Sequence, residues 1–248
     1  MKANTAILEK QYHNAVAHDF LLQRKHDFIW EIPEKLFLLK KNYLQNKSIV
    51  EMGCGPSFLI AKIVKIQKIK IKSYIGIDIS KKMISLAREN FPNGTYIVEN
   101  MTTINLPNSS VDTILSLGAL HHAENKYTTL FNWIRILKKD GYLLLREPTY
   151  EALKKGTGAS PTEEGIEVKK VDKYLNMKGL KVKKNLYFCS RLFHLINRLL
   201  IKVFGTVWTK NEILWYPLMI FDIFISNTLG QFVPLLRGDA CIIIAQKV

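Results

Sequence analysis

Short apolar runs alternate with amphipathic stretches through the middle of the chain, and Gly, Pro, Ser and Asp mark the changes between them. Residues 48–52 (SIVEM) read as a buried strand stopped by Gly53-Cys54-Gly55-Pro56. Leu59, Ile60, Ile63 and Val64 then recur at helical spacing, with Ser57 placed to cap that helix. Tyr74 to Ile77 is a second strand ending at Asp78, and Ser80 is placed to cap a helix carrying Met83, Ile84 and Ala87 on one face. Thr95 to Val98 and Val111 to Leu117 read as the third and fourth strands, Glu124 to Lys138 as a helix, and Tyr142 to Leu145 as a fifth strand after Gly141. Such alternation implies an α/β fold with a parallel sheet and right-handed crossovers.

The flanks differ. Residues 5–44 look helical, in two pieces divided near Pro33, and are expected to form an N-terminal helical cap (1–44) on a main domain of 45–248. After the fifth strand, GTGASPTEEG (156–165) is a loop by composition. Val168 to Met177 follows as a helix, Leu180 to Cys189 as a strand and Ala240 to Gln246 as the last strand. Between these two strands lies an apolar, helical insertion, 191–237. Ile213 to Leu236 holds one charged residue, Asp222, in 24, with Arg191, Arg198, Lys202 and Lys210 upstream. Its length would permit a membrane span. Pro217, Asp222, Asn227, Gly230 and Pro234 interrupt it, however, and a buried charge is costly, so a substrate cap or an interfacial patch is favoured over a span, and plain core packing stays open.

Composition narrows the classes. With 248 residues, 48% of them hydrophobic, and no internal repeat, one domain is the default. The formal charge of +15 suits nucleic acid, an anionic membrane or a phosphorylated substrate, but the lysines are spread along the chain, so no specific nucleic-acid partner is expected. Cys54, Cys189 and Cys241 are widely spaced and form no CxxC or Cys/His cluster, so neither a metal site nor a disulfide framework is expected, and a cytoplasmic setting is. The first residues carry Glu9 and Asp19 and lack an apolar core, so no signal peptide is read there.

Candidate chemistry sits at the carboxyl ends of the strands, where open α/β sheets bind ligands. The glycines of Glu51-Met52-Gly53-Cys54-Gly55 permit positive φ and a close approach of main chain to ligand. Pro56 and Ser57 stand where a dinucleotide fingerprint wants its third glycine, which disfavours a pyrophosphate. Asp78, 25 residues after Gly53, can accept the hydroxyl protons of a ribose, or simply end its strand. His121 and His122 follow the fourth strand and can take a proton from an acceptor, or pack before the next helix.

IVEMGCGPS, YIGIDIS, VDTILSLGALHH and IRILKKDGYLLLREP, in this order over roughly residues 45–150, resemble successive motifs of class I S-adenosylmethionine-dependent methyltransferases, especially those acting on small molecules and lipids. The resemblance implies a Rossmann-like, doubly wound seven-stranded sheet with its last strand antiparallel. It puts Gly53, Cys54 and Gly55 against the methionine part of the cofactor, with Glu51 organising the loop. Asp78 would hold the ribose hydroxyls, Ile79 would pack on the adenine, and Leu117 and Gly118 would lie near the sulfonium. The family's third acidic position falls at Asn100, whose side-chain oxygen can still accept from the adenine amino group, with Met101 beside it. Tyr12 stands where similar enzymes place an aromatic over the cofactor, and Arg24, Lys25 and His26 could meet an anionic group. The acceptor, small or lipidic, would enter between the N-terminal helices, the His121-His122 loop, the Glu147 to Tyr150 loop and the 191–237 insertion. That insertion is also the candidate for peripheral membrane contact. The DPPY-like and Pro-Cys sequences used on nucleobases are absent after the fourth strand, so a nucleic-acid methyltransferase and a non-catalytic, cofactor-binding assembly protein are the alternatives.

Overall fold

Seven strands form one sheet in the order β3-β2-β1-β4-β5-β7-β6. The computed structural model describes residues 2–24, 28–154, 163–205 and 211–248. The strands are β1 (Ser48–Met52), β2 (Ser73–Asp78), β3 (Thr95–Val98), β4 (Val111–Leu117), β5 (Leu137–Pro148), β6 (Leu180–Ser190) and β7 (Gly238–Lys247). β1 lies parallel between β2 and β4, in the registers Val50↔Ile75 and Glu51↔Leu115, and β7 inserts antiparallel between β5 and β6. The Rossmann-like class read from the sequence is thus the observed one.

Alternation along each strand divides the core in two. Leu144, Ile242 and Ile244 face one side with Ile60 and Ile63 of α4 (Phe58–Ile66) and with Ile84 and Ala87 of α5 (Lys81–Asn90). Leu143, Leu145 and Ile243 face the other with Trp133 of α6 (Lys126–Ile136) and with Val171 and Leu175 of α7 (Val168–Met177).

Boundaries differ from the sequence reading where a side chain finds another partner. Ser57 does not cap α4: its φ of 49° is left-handed, and its hydroxyl pairs with the Tyr74 hydroxyl at 2.9 Å. Ser80 does cap α5, accepting from Met83 N. α6 starts at Lys126 rather than Glu124 because Asn125 caps it through Thr128 N, and it stops at Ile136 because β5 begins at Leu137 and extends to Pro148 against β7. The N-terminal region holds α1 (Lys2–Arg24), α2 (Phe28–Pro33), a π-helical turn (Glu34–Leu38) and α3 (Lys41–Leu44), so Pro33 closes α2 without ending the helical path.

The insertion becomes α8 (Arg191–Phe204), α9 (Glu212–Thr228) and a 3-10 turn (Pro234–Leu236). Among the described residues no helix is long and apolar enough to cross a membrane. α9 presses Trp215, Met219 and Ile223 into the core. Its buried acid, Asp222, is 1% exposed and accepts the N–H groups of Cys189 (2.6 Å) and Ser190 (3.1 Å) and the Ser190 hydroxyl (2.5 Å). Ser190 Oγ in turn accepts from Phe193 N and so caps α8. Asp222 therefore joins α9 to the end of β6 and the start of α8. Asp222→Ala should lower the unfolding free energy by about 3 kcal/mol, because buried N–H groups lose a charged acceptor, and Asp222→Asn by less. Urea denaturation read by circular dichroism checks this.

Candidate active site

A cavity of about 220 Å³ opens at the carboxyl ends of β1, β2 and β4. Its floor is the glycine turn. Gly53 has φ 63°, and a Cβ there would fall 2.4 Å from Ala119 Cβ, so main chain and the loop after β4 approach as closely as glycine allows. Gly55, at φ 51°, donates its N–H to Asp78 Oδ2 (2.9 Å), while Ser80 N donates to Asp78 Oδ1 (2.8 Å). One carboxylate thus locks the turn after β1 to the turn after β2. Burial pushes the Asp78 carboxyl above its ordinary pKa, against the pull of those two N–H groups. Glu51, buried beneath the turn, accepts from the Tyr74 hydroxyl at 2.5 Å.

The residues that the resemblance assigned to the cofactor come together here. Glu51, Gly53, Cys54, Gly55 and Asp78 line the cavity, as do Ile79, Asn100, Met101 and Leu117. The Asn100 side-chain oxygen accepts from Thr102 N at 3.0 Å and keeps one acceptor site.

The two histidines separate. His121 does not line the cavity; its Nδ1 lies 2.8 Å from Glu147 Oε2. Glu147, 0% exposed, also accepts from Ser116 Oγ and from the backbone N–H groups of Ala119, Leu120 and His121. Burial alone would raise the Glu147 carboxyl; the His121 ring and the backbone donors outweigh it and hold the group below the ordinary carboxylate range. Burial keeps the His121 imidazole below its usual pKa, fitting a neutral ring that donates to an ionised Glu147. His121 therefore shapes the loop, and His122 faces the cavity. The sequence reading placed Glu147 only at the start of a loop; an acid two residues after the apolar run Leu143-Leu144-Leu145 was the available signal.

The N-terminal helices close the other side. Ala6, Glu9 and His13 of α1 line the cavity one helical turn apart, whereas Tyr12 packs edge-on against the His13 ring at 5.2 Å and is not among the lining residues. Glu31 and Glu34 also line it, and both are ion-paired: Glu31 with Lys35 (2.6 Å) and Lys62 (2.5 Å), Glu34 with Arg146 (2.7 Å). Neither the Glu147 to Tyr150 loop nor the described part of 191–237 lines the cavity, which removes two of the four expected walls; α9 reaches it only indirectly, through Glu212 on Lys35 (2.5 Å). The Arg24 side chain, Lys25 and His26 lie outside the described residues, as do Lys210 and most of the 156–165 loop. Despite the +15 charge of the chain, the described lining holds Glu9, Glu31, Glu34, Glu51, Asp78 and Glu124 and no lysine or arginine.

Comparison with known proteins agrees with this architecture. Residues 50–145 match the family model described as a methyltransferase domain. The chain is 29% identical over 147 residues to a malonyl-[acyl-carrier protein] O-methyltransferase of Bacillus cereus, covering 57% of this chain and 52% of that protein. It is 29% identical over 105 residues to the ubiquinone/menaquinone biosynthesis C-methyltransferase UbiE of Campylobacter jejuni, covering 41% and 44%. The chain thus spans about half the length of the curated relatives it matches. Among solved structures, the chain from Haloferax volcanii crystallised with the Trm112 methyltransferase activator superposes with a TM-score of 0.66 at 13% identity, over 96% of each chain. An S-adenosylmethionine dependent methyltransferase from Mesorhizobium loti gives 0.60 at 18%, over 88% of this chain and 97% of that one. These likenesses show a shared fold.

Because Glu147 serves the loop after β4, Glu147→Gln should cost about 2–3 kcal/mol of stability, since an amide brings its own N–H to a ring of donors. A denaturation midpoint equal to that of the wild type would mean that the loop holds without the charge.

Proposed function

We propose that this chain, whose residues 50–145 carry a methyltransferase domain, uses S-adenosylmethionine to methylate a small-molecule or lipid-like acceptor at oxygen or nitrogen. The observation that carries this reading is the glycine turn locked to the buried carboxylate of Asp78 at the floor of the cavity. Gly53, at φ 63° and in contact with Ala119 of the loop after β4, lets the main chain of the turn line the cavity directly, which suits a ligand held against main chain. When bound, S-adenosylmethionine supplies an activated methyl group on a sulfonium whose sulfur leaves uncharged. Each Asp78 oxygen has a lone pair left for a ribose hydroxyl, and Asn100 has one for an amino group. Glu51, Gly53, Cys54 and Gly55 would hold the methionine part, Ile79 and Met101 the adenine, and Leu117 the region of the reacting carbon. His122, which faces the cavity, would act on the acceptor's proton.

The lining favours some acceptors over others. Its carboxylates suit a sulfonium cation and an uncharged hydroxyl or an amine, and oppose a phosphate. That argues against nucleic acid in spite of the basic surface. Alignment of acceptor and donor does much of the work in such a transfer.

A second surface supports peripheral contact with a membrane. α8 and α9 expose Val203 (63%), Ile213 (78%) and Phe224 (64%), Phe232 (75%) is exposed in the segment after α9, and α8 also carries Arg191, Arg198 and Lys202. Apolar side chains flanked by cations suit an anionic lipid interface.

Calorimetric titration should give one S-adenosylmethionine per chain, with Asp78→Ala weakening binding by about 100-fold, the loss of two charge-assisted hydrogen bonds. A folded wild type that takes up no cofactor would remove this reading. In flotation with vesicles, binding should require anionic lipid and fall in the double variant Phe224→Glu, Phe232→Glu; equal recovery of variant and wild type would exclude this face as the contact.

A further inference from the structure

Glu9, His13 and His122 meet on the cavity wall, apart from the glycine turn. Glu9 Oε2 lies 3.3 Å from His13 Nε2 and 3.3 Å from His122 Nδ1, and one ligating atom from each residue lies within 4.8 Å of the others. The two imidazoles stand edge to face with centroids 4.9 Å apart. Glu9 is 7% exposed, and His122 Nδ1 is buried and makes no hydrogen bond among the described residues.

These separations have a chemical meaning. A good N–H···O hydrogen bond is about 2.9–3.0 Å long. Ligands placed tetrahedrally about 2.0–2.1 Å from a zinc ion stand about 3.3–3.4 Å from one another. Glu9 and His13, four residues apart on α1, present their side chains on one face of the helix, and the short turn Leu120–His122 brings the third ligand from the end of β4.

We propose that Glu9, His13 and His122 bind a divalent cation of the zinc class, with two imidazoles and one carboxylate as ligands and the remaining position open to the cavity. Three protein ligands with an open fourth position are the arrangement of reactive rather than structural zinc sites. Imidazole and carboxylate donors also suit Mn²⁺, Fe²⁺ and Co²⁺. Glu163 Oε1, 3.7 Å from His122 Nδ1, is the nearest further oxygen. The ion would tie α1 to the sheet and close the cavity. Its further role rests on the methyl-transfer reading: an acceptor hydroxyl at the open position would release its proton to solvent more readily, leaving the oxygen to attack. His122 would then act on that proton through the ion rather than by taking it.

The test uses the full chain, stripped with a chelator and titrated with zinc chloride alone by calorimetry. One zinc per chain is expected in the wild type, weakened at least about tenfold in His13→Ala, His122→Ala and Glu9→Gln. Loading the wild type with Co²⁺ needs no variant and should give the visible absorption of a four-coordinate nitrogen and oxygen site. Absence of a saturable one-to-one isotherm, unchanged affinity in both histidine variants, or a Co²⁺ spectrum no different from the aqueous ion would each overturn the site. Asp78→Ala separates the two proposals: it should retain zinc while losing S-adenosylmethionine. Zinc uptake by a protein that never binds the cofactor would sustain the metal site and remove the methyl-transfer reading, and the reverse result would do the opposite.

Discussion

Backbone N–H groups in the turns beyond the carboxyl edge of a parallel sheet have no strand to pair with, and in this protein buried carboxylates accept them. Asp78 takes those of Gly55 and Ser80 and Glu147 those of Ala119, Leu120 and His121; at the last residues of β6, Asp222 takes those of Cys189 and Ser190. Each carboxylate joins segments distant in sequence, and Asp78 and Glu147 fix the turns after β1, β2 and β4 that form the cavity. Removing one would leave several donors buried without an acceptor, which is why these acids hold the loops more firmly than apolar packing alone could.

The same arrangement sets the electrostatics. Lysines and arginines cover the outside, while carboxylates are drawn inward by the N–H groups and ion pairs waiting for them. Glu31 and Glu34 show the second case: Lys35, Lys62 and Arg146 accompany them, and Arg146 also donates to the Leu117 carbonyl at 2.7 Å, so the N-terminal helices are anchored to the end of β4. Gly118 is required beside it, because at φ 84° a Cβ would meet the Arg146 guanidinium at 2.3 Å. The described lining of the cavity is thus rich in acids although the chain as a whole is basic.

Among the described residues, the insertion between β6 and β7 holds no helix long and apolar enough to cross a membrane and lines no part of the cavity. α9 serves as core on one face, through Trp215, Met219 and Ile223, and stays apolar on the other, through Ile213, Phe221 and Phe224. A helix that is apolar all round gives no sequence signal for which face is covered. Asp222, which argued against a span, is the residue that docks it.

Local pattern determined the sheet. Strands β1, β3 and β4 and helix α7 stand where alternation and helical spacing put them, and Gly53, Gly55, Asp78, Asn100 and Leu117 gather at one edge because strand-end positions in a doubly wound sheet converge by topology. What the chain alone did not determine is pairing between distant residues. Glu147 with His121 rather than with solvent, Ser57 with Tyr74 rather than with a helix end, and Glu9 and His13 beside His122 more than 100 positions away all depend on which surfaces meet after the helices pack. Periodicity records which face of an element is buried; the partner on the opposite face is set by the tertiary structure, because hydrogen bonds and ion pairs act over a few ångströms and leave no regular spacing in the sequence.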